Sequence, residues 1–209
     1  MFITFEGPDG SGKTTQFQRT VAALRAAGYD LVATREPGGT AIGDQIRAVL
    51  LDRPENVRMA HETEALLFSA SRAQHVAEVI RPALAAGKLV LCDRFYDSTL
   101  AYQGYGYGLD LEALRRITAF ATGGLKPDLT LYLDCPPEVG LRRRAAGQAE
   151  WNRLDARPLD FHQRVYEGFR ALIEAEPERW VVIDARGEPD AVFAQVITAL
   201  RLRGLRLEG

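Results

Sequence analysis

Gly7-Pro8-Asp9-Gly10-Ser11-Gly12-Lys13-Thr14 carries the densest chemical signal in the chain. The segment matches Gly-x-x-x-x-Gly-Lys-Ser/Thr. It stands between a strand-like run, Phe2–Phe5, and a helical run from Lys13, the setting that pattern requires. Glycines let the backbone curl until several N–H groups point inward at phosphate oxygens. The helix adds the positive end of its dipole. Lys13 then reaches the β- and γ-phosphates of a nucleoside triphosphate, and the Thr14 hydroxyl binds Mg²⁺. Asp9 is unusual in a loop that faces an anion. It reads either as an acceptor for a sugar hydroxyl or as a simple helix-entry acid.

Asp93 closes the apolar run Leu89-Val90-Leu91-Cys92 and resembles a Walker-B acid, completing the magnesium site with Thr14. Arg94 follows at the same sheet edge, where a cation can hold a second phosphate near the first. On the helix expected over 61–86, Leu66, Ala70, Ala73, Ala77, Ile80 and Leu84 share one stripe at 100° per residue, which predicts the core face. Phe68 lies about 160–200° from that stripe, with Arg72 one turn later. The pair reads either as a base platform, ring for stacking and guanidinium for a carbonyl, or as part of a second core. Arg35 in Arg35-Glu36-Pro37-Gly38-Gly39-Thr40 is placed in a shaped turn, available for an anion. Arg142-Arg143-Arg144 and Arg153 flank a glycine- and alanine-containing stretch. They read as a mobile basic lid at about 142–155 or as an exposed helix with ion pairs.

These residues need a scaffold. Strand-like runs at Phe2–Phe5, 31–34, 88–92, 129–133 and 180–183 alternate with helical runs at 13–27, 42–51, 61–86, 110–121, 137–146, 159–175 and 189–202. Tyr102 follows Arg94 by eight residues on a segment that reads as one helix. Alternation of this kind predicts an α/β fold with a parallel sheet covered on both faces. Ligands bind beyond the carboxyl ends of such strands. Glu6, Asp93, Asp134 and Asp184 all fall there, the last two read chiefly as turn or N-cap residues. The chain has 209 residues, 46% hydrophobic and 26% charged, with net charge −2. One domain over 1–209 is expected. The charge balance argues against nucleic-acid or anionic-membrane binding as a default. No apolar run approaches the ~20 residues of a membrane span, and no leader sequence is recognisable, so the expected compartment is the cytoplasm. Cys92 and Cys135 read as small buried hydrophobes, and His61, His75 and His162 show no ligand spacing.

Taken together, Phe5–Thr15, Thr34–Thr40, Leu67–Arg72, Asp93-Arg94-Phe95, Ser98–Gly104 and Pro127–Asp134 resemble bacterial thymidylate kinase, in order and over residues 1 to about 200. The resemblance implies a three-layer P-loop fold with a five-stranded parallel sheet, order 2-3-1-4-5, and a homodimer. It implies transfer of phosphate from ATP to dTMP, giving dTDP for dTTP synthesis, with Mg²⁺ at Thr14 and Asp93. ATP would be held by Gly7, Pro8, Asp9, Gly10, Ser11, Gly12, Lys13, Thr14 and Thr15, with Arg142 stacking near adenine. Asp9 would bind the dTMP 3′-hydroxyl, and Arg94 with Arg35 its phosphate. Phe68 would stack on thymine and Arg72 reach its O4. Thr99 and Gln103 would line the base or sugar, and Tyr102 would crowd C2′. In one branch of the family an arginine follows the loop acid; here that position is Gly10. The transferred charge is therefore expected to meet Lys13, Arg94 and lid arginines, with Arg153 ahead of Arg143 and Arg144 because Asp155 stands near to orient it.

Overall fold

Five apolar runs become five strands: β1 (Phe2–Glu6), β2 (Leu31–Arg35), β3 (Leu89–Asp93), β4 (Leu129–Asp134) and β5 (Trp180–Asp184). The computed structural model describes residues 1–51, 56, 58–146, 154 and 156–207. In it the strands form one parallel sheet in the order β2-β3-β1-β4-β5, as the resemblance implied. A central parallel strand is covered on both faces, and β1 is accordingly buried along its whole length. Each strand runs one residue past its apolar stretch, so Glu6, Arg35, Asp93, Asp134 and Asp184 are the last residues of their strands.

The helices are α1 (Lys13–Ala26), α2 (Ala41–Leu51), α3 (His61–His75), α4 (Arg81–Ala85), α5 (Tyr96–Thr99), α6 (Leu111–Thr122), α7 (Pro137–Ala146), α8 (Leu159–Ala175) and α9 (Pro189–Leu202). Local chemistry marks several ends. Gly28, at φ +85°, follows α1 and lets Tyr29 N–H reach back to the Leu24 carbonyl. The Asp110 carboxylate accepts from the N–H groups of Glu112 and Ala113 at the start of α6. Side chains alternate across β1, so the sheet separates two cores. One joins Phe2, Val90 and Tyr132 to Phe95, Phe161 and Phe169. The other joins Ile3, Leu91 and Leu131 to Leu24, Val196 and Leu200.

The helix expected over 61–86 forms, but a π-helical segment, Val76–Ile80, separates α3 from α4. The expected core stripe is not the buried one. Leu66, Ala70 and Ala77 are exposed, Ala73 and Leu84 are half-buried, and only Ile80 is buried. The buried face of α3 instead carries Glu64, Ala65, Arg72 and His75. Apolar counting fails here because polar partners cover that face. The segment reading as one helix after Arg94 is α5 followed by a π-helical turn, Leu100–Gly106. Its glycines admit close neighbours: a Cβ on Gly106 would lie 2.7 Å from the Phe161 ring of α8.

Candidate active site

A cavity of about 810 Å³ opens at the carboxyl edge of the sheet. Along one wall runs the loop from Pro8 to Thr15. Gly10 and Gly12 sit at φ +76° and +81°, in the left-handed region that glycine enters without penalty. Lys13 Nζ lies 2.6 Å from Asp93 Oδ1, and Thr14 Oγ1 donates to Asp93 Oδ2 at 3.3 Å. Burial raises the Asp93 carboxyl, yet Lys13, then Arg94 and the Thr14 bond, hold it below the ordinary carboxylate range. One carboxylate and one hydroxyl suit a Mg²⁺ that takes its remaining oxygens from phosphates and water. Among the described residues no cluster of three His, Cys, Asp or Glu side chains forms a separate metal site. Gly7 does not line the cavity; it presents its carbonyl to Arg94 instead.

Arg94 joins this loop to the rest of the site. Among the described residues it alone is a non-glycine at positive φ, +68°. Its N–H donates to the Phe5 carbonyl at 2.9 Å, and the next N–H, of Phe95, donates to Glu6 at 2.8 Å, so both sides of the turn are fixed to β1. Nη1 donates to the Gly7 carbonyl and to Ser98 Oγ, each at 3.0 Å, and Nη2 to Asp9 Oδ1 at 2.7 Å. Tyr102 donates its hydroxyl proton to Asp9 Oδ2 at 2.8 Å. Burial pushes the Asp9 carboxyl up, but Arg94, the Tyr102 bond and Lys13 together bring it below its usual value. The unusual loop acid is therefore ionised and held by partners. Burial pushes the Glu6 carboxyl up to about 7, with Asp97 adding to the effect and Arg94 opposing it. Behind the turn, Arg179 grips Asp97 with two bonds of 2.7 and 2.9 Å and donates to Thr130 Oγ1 at 2.7 Å. That bidentate pair ties α5 to the turn before β5, and the Thr130 bond extends the tie to β4.

The opposite wall comes from α3, the 35–37 turn and the α5 segment. Phe68 packs against the first core and also lines the cavity. Arg72 is buried, with Nε donating to Glu36 Oε2 at 2.7 Å and Nη2 to the Phe95 carbonyl at 3.2 Å. Its Nη1 is buried with no hydrogen-bond partner, beside a cavity that Arg72 lines. Thr99, Tyr102 and Gln103 line the same wall, and Arg35 reaches it from the exposed end of β2.

Helix α7 rests on the phosphate loop. A Cβ on Gly10 would fall 1.9 Å from the Gly140 carbonyl oxygen, so the loop has no room for a side chain there. Arg143 and Arg144, three and four residues beyond that contact, line the cavity, whereas Arg142 is exposed and does not. Arg143 donates to the Ala185 and Arg186 carbonyls at 2.7 and 2.6 Å, beside the cavity end formed by Gly187, Pro189 and Val192. Of the three neighbouring arginines, Arg143 and Arg144 thus border the cavity and Arg142 does not. Arg153 and Asp155 lie outside the described residues.

The family model described as thymidylate kinase matches residues 5–196. The chain belongs to the thymidylate kinase family. It is 56% identical over 208 residues to the thymidylate kinase of Roseiflexus castenholzii, covering 94% of this chain and 90% of that one. With the thymidylate kinase of Desulfovibrio desulfuricans it shares 54% identity over the whole of both chains. The crystal structure of thymidylate kinase from Ehrlichia chaffeensis is 34% identical and similar in fold, with a TM-score of 0.78 over 96% of this chain and 98% of that one.

In this thymidylate kinase family member several site residues escaped sequence reasoning. Glu36 binds both Arg72 and, through Oε1 at 2.9 Å, His75 Nδ1, while His75 Nε2 lies 2.7 Å from Thr34 Oγ1. The shaped turn at 35–40 was a signal for Glu36, but nothing local pairs it with residues 36 and 39 positions away. Glu64, whose partner Gln103 is 39 positions away, was missed for the same reason. Cys92 and Cys135 are buried free thiols, as expected. Asp184 ends β5 and accepts from the Arg186 N–H and guanidinium. Among the described residues no helix is long and apolar enough to cross a membrane.

Proposed function

We propose that this protein phosphorylates dTMP to dTDP with ATP and Mg²⁺, with the two nucleotides end to end in the cavity. A single observation carries the reading: one cavity is lined both by the phosphate loop and by an aromatic–arginine pair, Phe68 and Arg72. ATP lies along residues 8–15, with Lys13 on its β- and γ-phosphates and Arg143 toward adenine. Mg²⁺, held by Thr14 and Asp93, supplies charge neutralisation at the phosphates. dTMP stacks on Phe68, and the unpartnered Nη1 of Arg72 donates to thymine O4. Asp9 accepts from the 3′-hydroxyl, Tyr102 stands against C2′, and Thr99 and Gln103 line the base or sugar. Arg94, with Arg35, takes the acceptor phosphate.

No general base is required, because the acceptor phosphate is already ionised. The residues align the two phosphates, exclude water and meet the charge that develops between them. Gly10 leaves the loop with Lys13 as its own cation, so arginines from residues 142–155 supply the rest, Arg144 and Arg153 first among them. A coupled assay of ADP release across nucleoside monophosphates tests the reaction. Fast turnover with dTMP, well above that with cytidine or purine monophosphates, is expected; slow turnover indifferent to any monophosphate would instead mark a nucleotide switch.

A homodimer fits the outer face of α3 and α6. Leu66 is 54% exposed and Phe120 90%, beside exposed Ala70 and Ala77. α3 packs against both α2 and α6, so these residues belong to one helical layer. Large apolar groups left in water on one layer mark an interaction surface. Sedimentation should give a dimer for the native chain and a monomer for Leu66→Glu.

A further inference from the structure

We propose that Glu64 is a positioning residue that fixes which end of the Gln103 carboxamide faces the base, and so makes the pocket select a ring with an N–H beside a carbonyl. The inference rests on the proposed reading of this wall as a pyrimidine site. Glu64, Phe68 and Arg72 stand at successive turns along one face of α3. Glu64 and Gln103 are both buried, and Gln103 Nε2 donates to Glu64 Oε1 at 2.6 Å. The other carboxylate oxygen of Glu64 accepts from the Tyr107 hydroxyl at 3.4 Å.

Glu64 Oε1 is the acceptor of this bond and Gln103 Nε2 the donor. The amide nitrogen of Gln103 must therefore be the atom that faces Glu64. A flipped amide would set two acceptor oxygens against each other inside the protein. Planar amide geometry then directs Gln103 Oε1 away from Glu64, and Gln103 lines the cavity. Arg72 contributes the complementary group, its buried and unpartnered Nη1 donor. Its other nitrogens are fixed by Glu36 and the Phe95 carbonyl, so the guanidinium cannot turn to offer anything else. The wall presents one acceptor and one donor. Thymine and uracil offer N3–H beside the O4 carbonyl, which matches. Cytosine offers the N3 lone pair beside an N4 amino group, which inverts both contacts. Glu64 touches no substrate; it acts by forbidding the amide flip that would relieve the N3 half of the cytosine mismatch.

The test compares dTMP, dUMP and dCMP in the wild-type protein and in Glu64→Gln. A glutamine at 64 can donate or accept, so Gln103 becomes free to flip. The ratio of kcat/KM for dTMP over dCMP should fall about tenfold or more in Glu64→Gln, mainly through KM, with kcat for dTMP nearly unchanged. dUMP should follow dTMP, since the two share the hydrogen-bonding edge. In a Gln103→Leu background, Glu64→Gln should leave the ratio where Gln103→Leu alone puts it. A merely structural Glu64 would lower activity on all three nucleotides together and leave the ratio intact, and that result overturns the proposal. A second measurement needs no variant at position 64. In the wild-type protein with dTMP, the Gln103 side-chain N–H, assigned by its loss in Gln103→Leu, should resonate downfield and exchange slowly. A fast-exchanging, unshifted signal overturns the proposal as well. Absence of dTMP turnover in the wild-type protein would count against the proposed reaction, and the Gln103 signal would still be read independently of it.

Discussion

Replacing Glu6 with glutamine should remove a pH dependence of stability that the wild-type protein carries near neutrality. Glu6 is the last residue of the central strand and fully buried. Its carboxyl accepts from Phe95 N–H at 2.8 Å and from Ser98 Oγ at 2.6 Å, so it supports the Arg94 turn. Burial first, and Asp97 second, push it from 4.5 to about 7. A folded value above the unfolded one means that the folded state binds the proton more tightly. The stabilisation is complete below about 4.5 and is lost as pH rises through about 7. With 1.36 kcal/mol per pKa unit, the loss from pH 5 to pH 8 is on the order of 2–3 kcal/mol. For a chain of this size that corresponds to roughly 5–10 °C in Tm. Glutamine keeps the shape, accepts from Phe95 and donates to Ser98, but does not ionise. The measurement is thermal or urea unfolding of both proteins at pH 5, 6, 7 and 8. The wild-type stability should fall relative to Glu6→Gln across that range, with the crossing near neutrality. Parallel profiles from pH 5 to 8 would refute the reasoning and place Glu6 among ordinary acids.

Phe68→Ala should weaken dTMP binding roughly tenfold or more through lost stacking, on the order of 1–3 kcal/mol, while ATP affinity barely moves; calorimetry with each nucleotide decides, and equal losses would assign Phe68 to the core alone. Gly140→Ala puts a methyl 2.4 Å from the Asp9 carbonyl oxygen and should destabilise the contact between α7 and the phosphate loop by about 1–3 kcal/mol, with weaker ATP binding as the readout. Tyr102→Ala should narrow the preference for deoxyribose over ribose monophosphate, and unchanged kcat/KM ratios for the two sugars would exclude Tyr102 from sugar selection. Arg153→Ala should lower kcat at least about 100-fold with dTMP Kd within a few-fold, as for other arginines that meet a transferring phosphoryl group; near-normal kcat would move that role to Arg144.

The α/β alternation, the phosphate loop and the placement of Asp93 and Arg94 at the end of a strand are legible from the residues alone. Each of these is written in local patterns: a period of two or of 3.6, a glycine spacing, an acid at the end of an apolar run. Residues 64, 36 and 179 were not legible, because their meaning lies in partners 39, 36 and 82 positions away. The phase of α3 was misread for a related reason. Its buried face carries charges, and only the tertiary structure supplies Gln103, Glu36 and Thr34 to satisfy them. Gly10 shows the same division. The sequence marked it as a position without a side chain, and the fold gives the cause, the Gly140 carbonyl where a Cβ would stand. Local spacing fixes which groups face the cavity edge; long-range contacts fix which atom of each group is left to act.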